Sequence, residues 1–419
     1  MTIMGEMLER GRRARAAADL IRLAPPETRT LALEAAAVAL RAHADRILAA
    51  NAEDIERARA NGLSEALIDR LALSPARLGA IAYAVDEVAA LPDPLGRETA
   101  RWTRPSGLDI ARVSTPIGVL AIIYESRPNV TADAAALCLR SGNVALLRCG
   151  SDCLSSSLAI HAAMIEGLEA AGLSADAIQL VDTPDRAAVG ALLTGLEGTV
   201  DLLIPRGGKS LVARVQAEAR VPVLGHLEGL CHTYVHAAAD ADMAEAVVVN
   251  AKMRRVSVCG ATETLLIDRA CAPTLLPRLA GALEAAGCSL RGDAESRALV
   301  PSITEASEAD WTTEYLAPIL TVGVVEDLPH AVDHIRRHGS GHTEAIITND
   351  ETAATAFLNA VDSAIVMWNT STQFADGGEF GFGGEIGIST SRLHARGPVG
   401  AEQLTSYKYV VRGTGQTRR

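Results

Sequence analysis

From residue 117 onward, short apolar runs alternate with segments of helical spacing. Between 117 and 224 the runs at 119–124, 144–148, 178–181, 200–204 and 221–224 read as strands. The stretches at 131–140, 154–171, 185–196 and 209–219 read as helices. That alternation predicts a parallel sheet with right-handed crossovers. Ligands bind such sheets beyond the carboxyl ends of the strands. Residues 233–392 repeat the pattern, with strands expected at 233–236, 263–268, 319–325, 343–348 and 363–368. Helices are expected there at 241–253, 272–286, 327–338 and 350–360. The length, 419 residues, accommodates two α/β domains and a smaller piece.

Residues 1–92 read as helical, with apolar positions at Leu31, Ala35, Val38, Ala42 and Leu48. Asn51 is expected as an N-cap, and Ser74-Pro75 as another helix start. Residues 101–104 and 108–113 alternate polar and apolar around Ser106-Gly107, so a β-ribbon is expected, exposed and suited to docking on another subunit. The tail at 404–412 reads as one more strand.

Composition removes some functions. A net charge of −12 and 3% aromatics disfavour a dedicated nucleic-acid binder. No run approaches the ~18 apolar residues of a membrane span, and residues 1–23 are charged throughout, unlike a secretory signal. The seven cysteines are odd in number and sparse, which fits a reducing cytoplasm. Cys149 and Cys153 lie near His161, but no second pair completes a tetrahedral set, so no metal is expected.

One cysteine stands apart. Cys259 precedes Gly260 at a junction between a helix end and a strand, with Lys252, Arg254 and Arg255 close in sequence. Nearby cations favour a thiolate, and a turn can offer backbone N–H groups to an oxyanion. The alternative is a small buried hydrophobe, as most free cysteines are. Residues 204–210, Ile-Pro-Arg-Gly-Gly-Lys-Ser, join a strand to a helix. Gly207 and Gly208 permit close backbone approach, a helix N-terminus favours anions, and Arg206 and Lys209 add charge. An ordinary strand–helix turn reads the same way. Arg148 ends a strand and is followed by Cys149-Gly150-Ser151; a strand-end Arg with Ser151 suits an adenosine ribose or its 2′-phosphate. His226 follows the strand at 221–224, either as an acid–base or substrate-binding group or as a satisfied structural histidine.

Together the segments resemble the glutamate-5-semialdehyde dehydrogenase family of the aldehyde dehydrogenase superfamily, over essentially the whole chain. The resemblance rests on Glu-Ser-Arg-Pro-Asn at 125–129, Pro-Arg-Gly-Gly-Lys at 205–209 and Gly-His-Leu-Glu-Gly at 225–229. It also rests on the Cys259 segment, Gly-Ser-Gly-His-Thr-Glu at 339–344, Glu-Phe-Gly at 379–381, His-Ala-Arg-Gly-Pro at 394–398 and Tyr-Lys-Tyr-Val-Val-Arg at 407–412. It implies an aldehyde dehydrogenase-like α/β fold. A Rossmann-like NADP-binding domain would take residues 1–99 and 114–236, a second α/β catalytic domain 237–395, and a small β oligomerisation flap 100–113 and 396–419.

The implied activity is NADPH-dependent reduction of glutamyl 5-phosphate in proline biosynthesis, by a homo-oligomer receiving substrate by hand-over from glutamate 5-kinase. Cys259 would be the nucleophile and Asn129 an oxyanion donor. Arg148, Ser151, Gly207, Gly208, Lys209 and Glu314 would bind NADP(H); Arg127, His226, Arg255 and Phe380 would bind substrate. Acid-forming superfamily members carry a glutamate base before the cysteine in a Glu-Leu-Gly-Gly pattern. Here His226 occupies that place, 33 residues before Cys259, with Glu228 two residues on. A base that activates water would hydrolyse a thioester, which a reductase must keep intact. The rivals are an acid-forming dehydrogenase using Glu228 or His226, and a nucleotide-binding scaffold without chemistry.

Overall fold

A computed structural model describes residues 2–418 of the protein. The chain forms two compact units. The first runs through Gly225 and adds Gly381–Gly387 and the segment from Val399 on; the second comprises His226–Phe380 and Ile388–Pro398.

In the first unit, helices Ile3–Ile21, Pro26–Ala42, Ala44–Ala60, Glu65–Leu71 and Pro75–Ala90 precede a four-stranded parallel sheet. Its order is Ile178–Leu180, Val144–Cys149, Val119–Tyr124, Leu202–Arg206. The strand expected at 221–224 reduces to a single bridge between Leu203 and Val223, because Pro222 has no N–H to extend a ladder. The face expected at Leu31 and Val38 is the wrong one: both are exposed, while Ala32, Leu33, Ala36, Ala37 and Leu40 are buried. Small residues won because the helix Leu154–Ala170 packs unusually close. A Cβ at Gly167 would stand 2.4 Å from the Ala32 carbonyl oxygen and 2.5 Å from the Ala36 Cβ.

Asn51 is not an N-cap. It lies buried inside the helix Ala44–Ala60, where its amide donates to the Leu71 carbonyl (2.9 Å) and Ser156 Oγ (3.0 Å) and accepts from the Leu73 N–H (2.7 Å). The expected ribbon is present as the antiparallel strands Glu98–Thr103 and Asp109–Pro116, and Thr405–Arg412 pairs along the latter.

The second unit is built on a seven-stranded parallel sheet. Its order is Thr304–Glu305, Ser289–Gly292, Ile319–Val325, Thr262–Asp268, Cys231–Val235, Thr343–Ile347, Ile365–Trp368. The first two were missed by periodicity because they are two and four residues long and largely polar. The boundary falls after Gly225 rather than 236, since Cys231–Val235 pairs on both sides within this sheet. Thr262–Asp268 is buried along its whole length despite four polar residues. Partners make that tolerable: Thr262 meets Thr233 (2.7 Å), Glu263 meets Lys252 (2.5 Å), and Asp268 accepts from Tyr234 Oη (3.0 Å). Among the described residues no helix is long and apolar enough to cross a membrane.

Candidate active site

The helix Ala241–Met253 starts at Asp240, whose carboxylate accepts the Met243 N–H at 2.9 Å. It ends short of Cys259, and a turn closed by the Ala261 N–H on the Val258 carbonyl (3.0 Å) leads into Thr262–Asp268. Cys259 is half-buried in that turn. The segment 226–230 crosses directly over it. A Cβ at Gly229 would fall 2.1 Å from the Cys259 carbonyl oxygen and 2.8 Å from its Cα, so only glycine fits.

That crossing brings His226 to the sulfur. Its Nδ1–H donates to the Ile388 carbonyl at 2.6 Å, which fixes the orientation of the ring. His342 arrives from the start of the adjacent strand Thr343–Ile347. Its Nδ1 contacts Thr343 Oγ1 (2.9 Å) and Cys231 Sγ (3.5 Å), and its Nε2 is buried. The two rings meet edge to face, centroids 4.8 Å apart. Donor atoms of His226, Cys259 and His342 all lie within 4.8 Å of one another. This trio is also a donor set for a soft divalent metal, but a ligated sulfur cannot attack a carbonyl.

Burial alone would raise the Cys259 thiol pKa. The charges of His342 and His226 and their hydrogen bonds to the sulfur outweigh it, and the group is held well below the ordinary thiol value. The sequence-adjacent cations play another part. Lys252 is completely buried and paired with Glu263, whose carboxyl is pushed up to about 7 by burial, with Lys252 opposing. Glu263 Oε1 also accepts the Leu316 N–H at 3.3 Å. Leu316 sits at φ 51, a conformation a leucine holds only when its surroundings impose it. The buried pair thus shapes the loop that carries Glu314. Glu314 accepts the Gly229 N–H at 3.0 Å, and burial raises its carboxyl pKa. Arg255 and Phe380 are exposed on the same unit.

The remaining expected residues belong to the first unit. Arg148 is buried at the end of its strand; Nη2 donates to the Pro184 carbonyl (3.0 Å) and Nε has no protein partner. Ser151 is exposed in the following turn. Gly208 is the N-cap of helix Lys209–Glu218, and its N–H donates to Glu125 Oε2 at 3.4 Å. A carboxylate therefore stands where an anionic ligand was expected. Glu125 is exposed as a residue, but its carboxyl lies against the Gly207-Gly208 turn, where desolvation raises its pKa. Gly207 is confined too: a Cβ there would lie 2.7 Å from Glu125 Oε2. Asn129 precedes helix Val130–Arg140 and donates to Asp133 Oδ2 at 2.8 Å; burial pushes the Asp133 carboxyl up to about 6. Arg127 is half-buried just before it.

Sequence reasoning missed His342 and Gly229 as site residues. The signal for His342 was a histidine opening a strand directly after Gly339-Ser340-Gly341, where Ser340 Oγ also accepts the Leu230 N–H at 2.9 Å.

The two α/β units and a cysteine between histidines place the chain in a known class. A model of the aldehyde dehydrogenase family matches residues 9–309 and 287–410, and the chain belongs to that family. Its relatives are narrower in kind. The chain is 67% identical to the gamma-glutamyl phosphate reductase of Caulobacter vibrioides, over 97% of this chain and 99% of that protein. The crystal structure of gamma-glutamyl phosphate reductase from Thermotoga maritima superposes with a TM-score of 0.95 at 42% identity, covering 99% of this chain and 100% of that one. A glyceraldehyde-3-phosphate dehydrogenase from Methanocaldococcus jannaschii, solved with NADP, shares the fold alone, at 14% identity and a TM-score of 0.69 over 98% and 95% of the two chains.

Proposed function

We propose that the protein reduces L-glutamyl 5-phosphate to L-glutamate 5-semialdehyde, releasing phosphate, through a thioester on Cys259. The observation that carries this is the Cys259 sulfur set between His226 and His342, in a chain whose relatives are named gamma-glutamyl phosphate reductases. The thiolate attacks the acyl carbonyl, and the carbon–oxygen bond to phosphate breaks. The backbone N–H at Cys259 receives the oxyanion, with the amide of Asn129 as second donor; one such donor is typically worth about 3 kcal/mol. The imidazoles of His342 and His226 hold the thiolate before attack and supply the proton the net reaction consumes. Collapse of the reduced adduct returns the sulfur as thiolate.

The strand-end Arg148 with its unpartnered Nε, and the helix N-terminus at Gly208, fit a dinucleotide phosphate or ribose. NADPH supplies the hydride when bound. Arg148, Ser151, Gly207, Gly208, Lys209 and Glu314 are its proposed ligands; Arg127, His226, Arg255 and Phe380 are proposed for substrate. His226, steered by the Ile388 carbonyl, takes the place of a water-activating carboxylate and so spares the thioester. The exposed Trp102, Tyr407, Tyr409 and Val411 on the three-stranded ribbon are the proposed contact of a cytoplasmic homo-oligomer. Substrate hand-over from glutamate 5-kinase completes the proposal.

The test is semialdehyde oxidation in the reverse direction with NADP+, with and without inorganic phosphate. Phosphate-dependent turnover is expected. Equal rates in phosphate-free buffer would mean that water is the acyl acceptor and that the chain is an acid-forming dehydrogenase.

A further inference from the structure

The second unit contains a cavity of about 390 Å³ that the mechanism above does not use. One wall is the helix that leads to the nucleophile, with Asn250 and Arg254; the other is the loop after strand Ile365–Trp368, with Ser371, Gln373, Phe374 and Glu379. That loop is tied to the nucleophile's own turn. Thr372 Oγ1 lies 2.9 Å from Thr262 Oγ1, and the Thr372 carbonyl would sit 3.2 Å from a Cβ on Gly260. Ala375 packs in the apolar cluster that Cys259 borders. Thr372 and Ala375 thus touch the turn of Cys259, while Ser371, Gln373 and Phe374 line the cavity. Gln373 is fixed by Nε2, which donates to the Ala251 (2.9 Å) and Asn250 (3.2 Å) carbonyls, and its Oε1 accepts from Arg254 Nη1 at 3.4 Å.

The charges in this cavity are unspent. Among the described residues, Arg254 has no carboxylate partner and Glu379 no cationic one, yet both line it, one from each wall. A ligand of single charge would meet one favourable wall and one repelling wall. A ligand carrying an ammonium and a carboxylate on the same carbon would satisfy both.

We propose that this cavity seats the α-amino-acid head of the substrate, with Arg254 taking the carboxylate and Glu379 the ammonium. This rests on the reaction proposed above. It adds Arg254 and Glu379 to the residues proposed above for substrate, as the pair that reads the amino-acid head. The short methylene chain of a glutamyl group then reaches from the head toward the Cys259 turn.

Three aldehydes of one length separate the two contacts: glutamate 5-semialdehyde carries both charges, 5-oxopentanoate only the carboxylate, pentanal neither. With NADP+ and phosphate, Arg254→Gln should raise KM for the first two by roughly tenfold to a hundredfold, the worth of a charged hydrogen bond, and far less for pentanal. Arg254→Lys should recover part of that loss. Glu379→Gln should weaken only the semialdehyde. Equal losses on all three aldehydes, or none on any, would overturn the assignment. If the wild-type enzyme shows no phosphate-dependent turnover, the reaction proposal fails instead. Calorimetric titration of L-glutamate into wild type and Arg254→Gln then decides the subsite by itself: weaker binding to the variant supports it and equal binding refutes it.

Discussion

The two parallel sheets of this chain carry their candidate site residues at opposite ends of their strands. In the first unit, Arg148 and the Gly207-Gly208 turn follow the strands Val144–Cys149 and Leu202–Arg206, at the carboxyl ends where such sheets ordinarily bind ligands. In the second, His226, Cys259 and His342 all precede strands: Cys231–Val235, Thr262–Asp268 and Thr343–Ile347. Those three strands are neighbours in one sheet, so their leading segments converge although they are far apart in sequence. The difference teaches how each site acquires its charge. In the first, the groups beside the turn include the Glu125 carboxylate, which accepts the Gly208 N–H. The second buries its sequence-adjacent lysine against Glu263 and sets two histidines, from the segments leading into the neighbouring strands, beside the sulfur.

The largest expected effect tests whether the trio is a reaction centre at all. Cys259→Ala should lower kcat by at least ~10⁴-fold, on the scale of losing a nucleophile, with NADPH affinity unchanged by fluorescence titration. Near wild-type turnover would leave the second sheet without a chemical role. Next comes the buried pair. Lys252→Met strands Glu263 in the core and should destabilise the fold by about 3–5 kcal/mol in urea unfolding. A change under ~0.5 kcal/mol would return Lys252 to the solvent-facing role its sequence position suggested. The smallest concerns the first unit. Glu125→Gln removes the carboxylate facing the Gly208 N–H, and NADPH should bind about two- to fivefold more tightly, the scale of a charge at a helix end. Weaker binding would make Glu125 a contributor to that site rather than a competitor.

Much of the fold was legible because buried parallel strands are apolar runs of distinctive length. The strands at 119–124, 262–268 and 319–325 lie close to where periodicity placed them. Ser289–Gly292 and Thr304–Glu305 were not legible, since strands this short and polar carry no hydrophobic signature. The helix Pro26–Ala42 misled for another reason. Leucine and valine outrank alanine in hydrophobicity, but Gly167 admits only a close, small-residue contact, which turned the larger side chains outward. In the site, Cys259 was legible from its turn and its following glycine. His342 was not, because strand order decides its nearness to Cys259 and no spacing rule encodes strand order. Lys252 illustrates the converse: a residue seven positions from the nucleophile points into the core.

The central claim is that histidines from neighbouring strands keep the Cys259 sulfur ionised. The direct measurement is the pH dependence of Cys259 alkylation by iodoacetamide, in wild type and in His342→Ala. The depressed thiol pKa means the thiolate persists as pH falls, so wild-type alkylation should stay on its plateau well below the ~8.5 of a free cysteine. Removing His342 leaves burial opposed by His226 alone, so the half-maximal point should move upward in pH, with kcat/KM falling by roughly 10²–10⁴-fold. Coincident profiles, both centred near an ordinary thiol, would contradict the account.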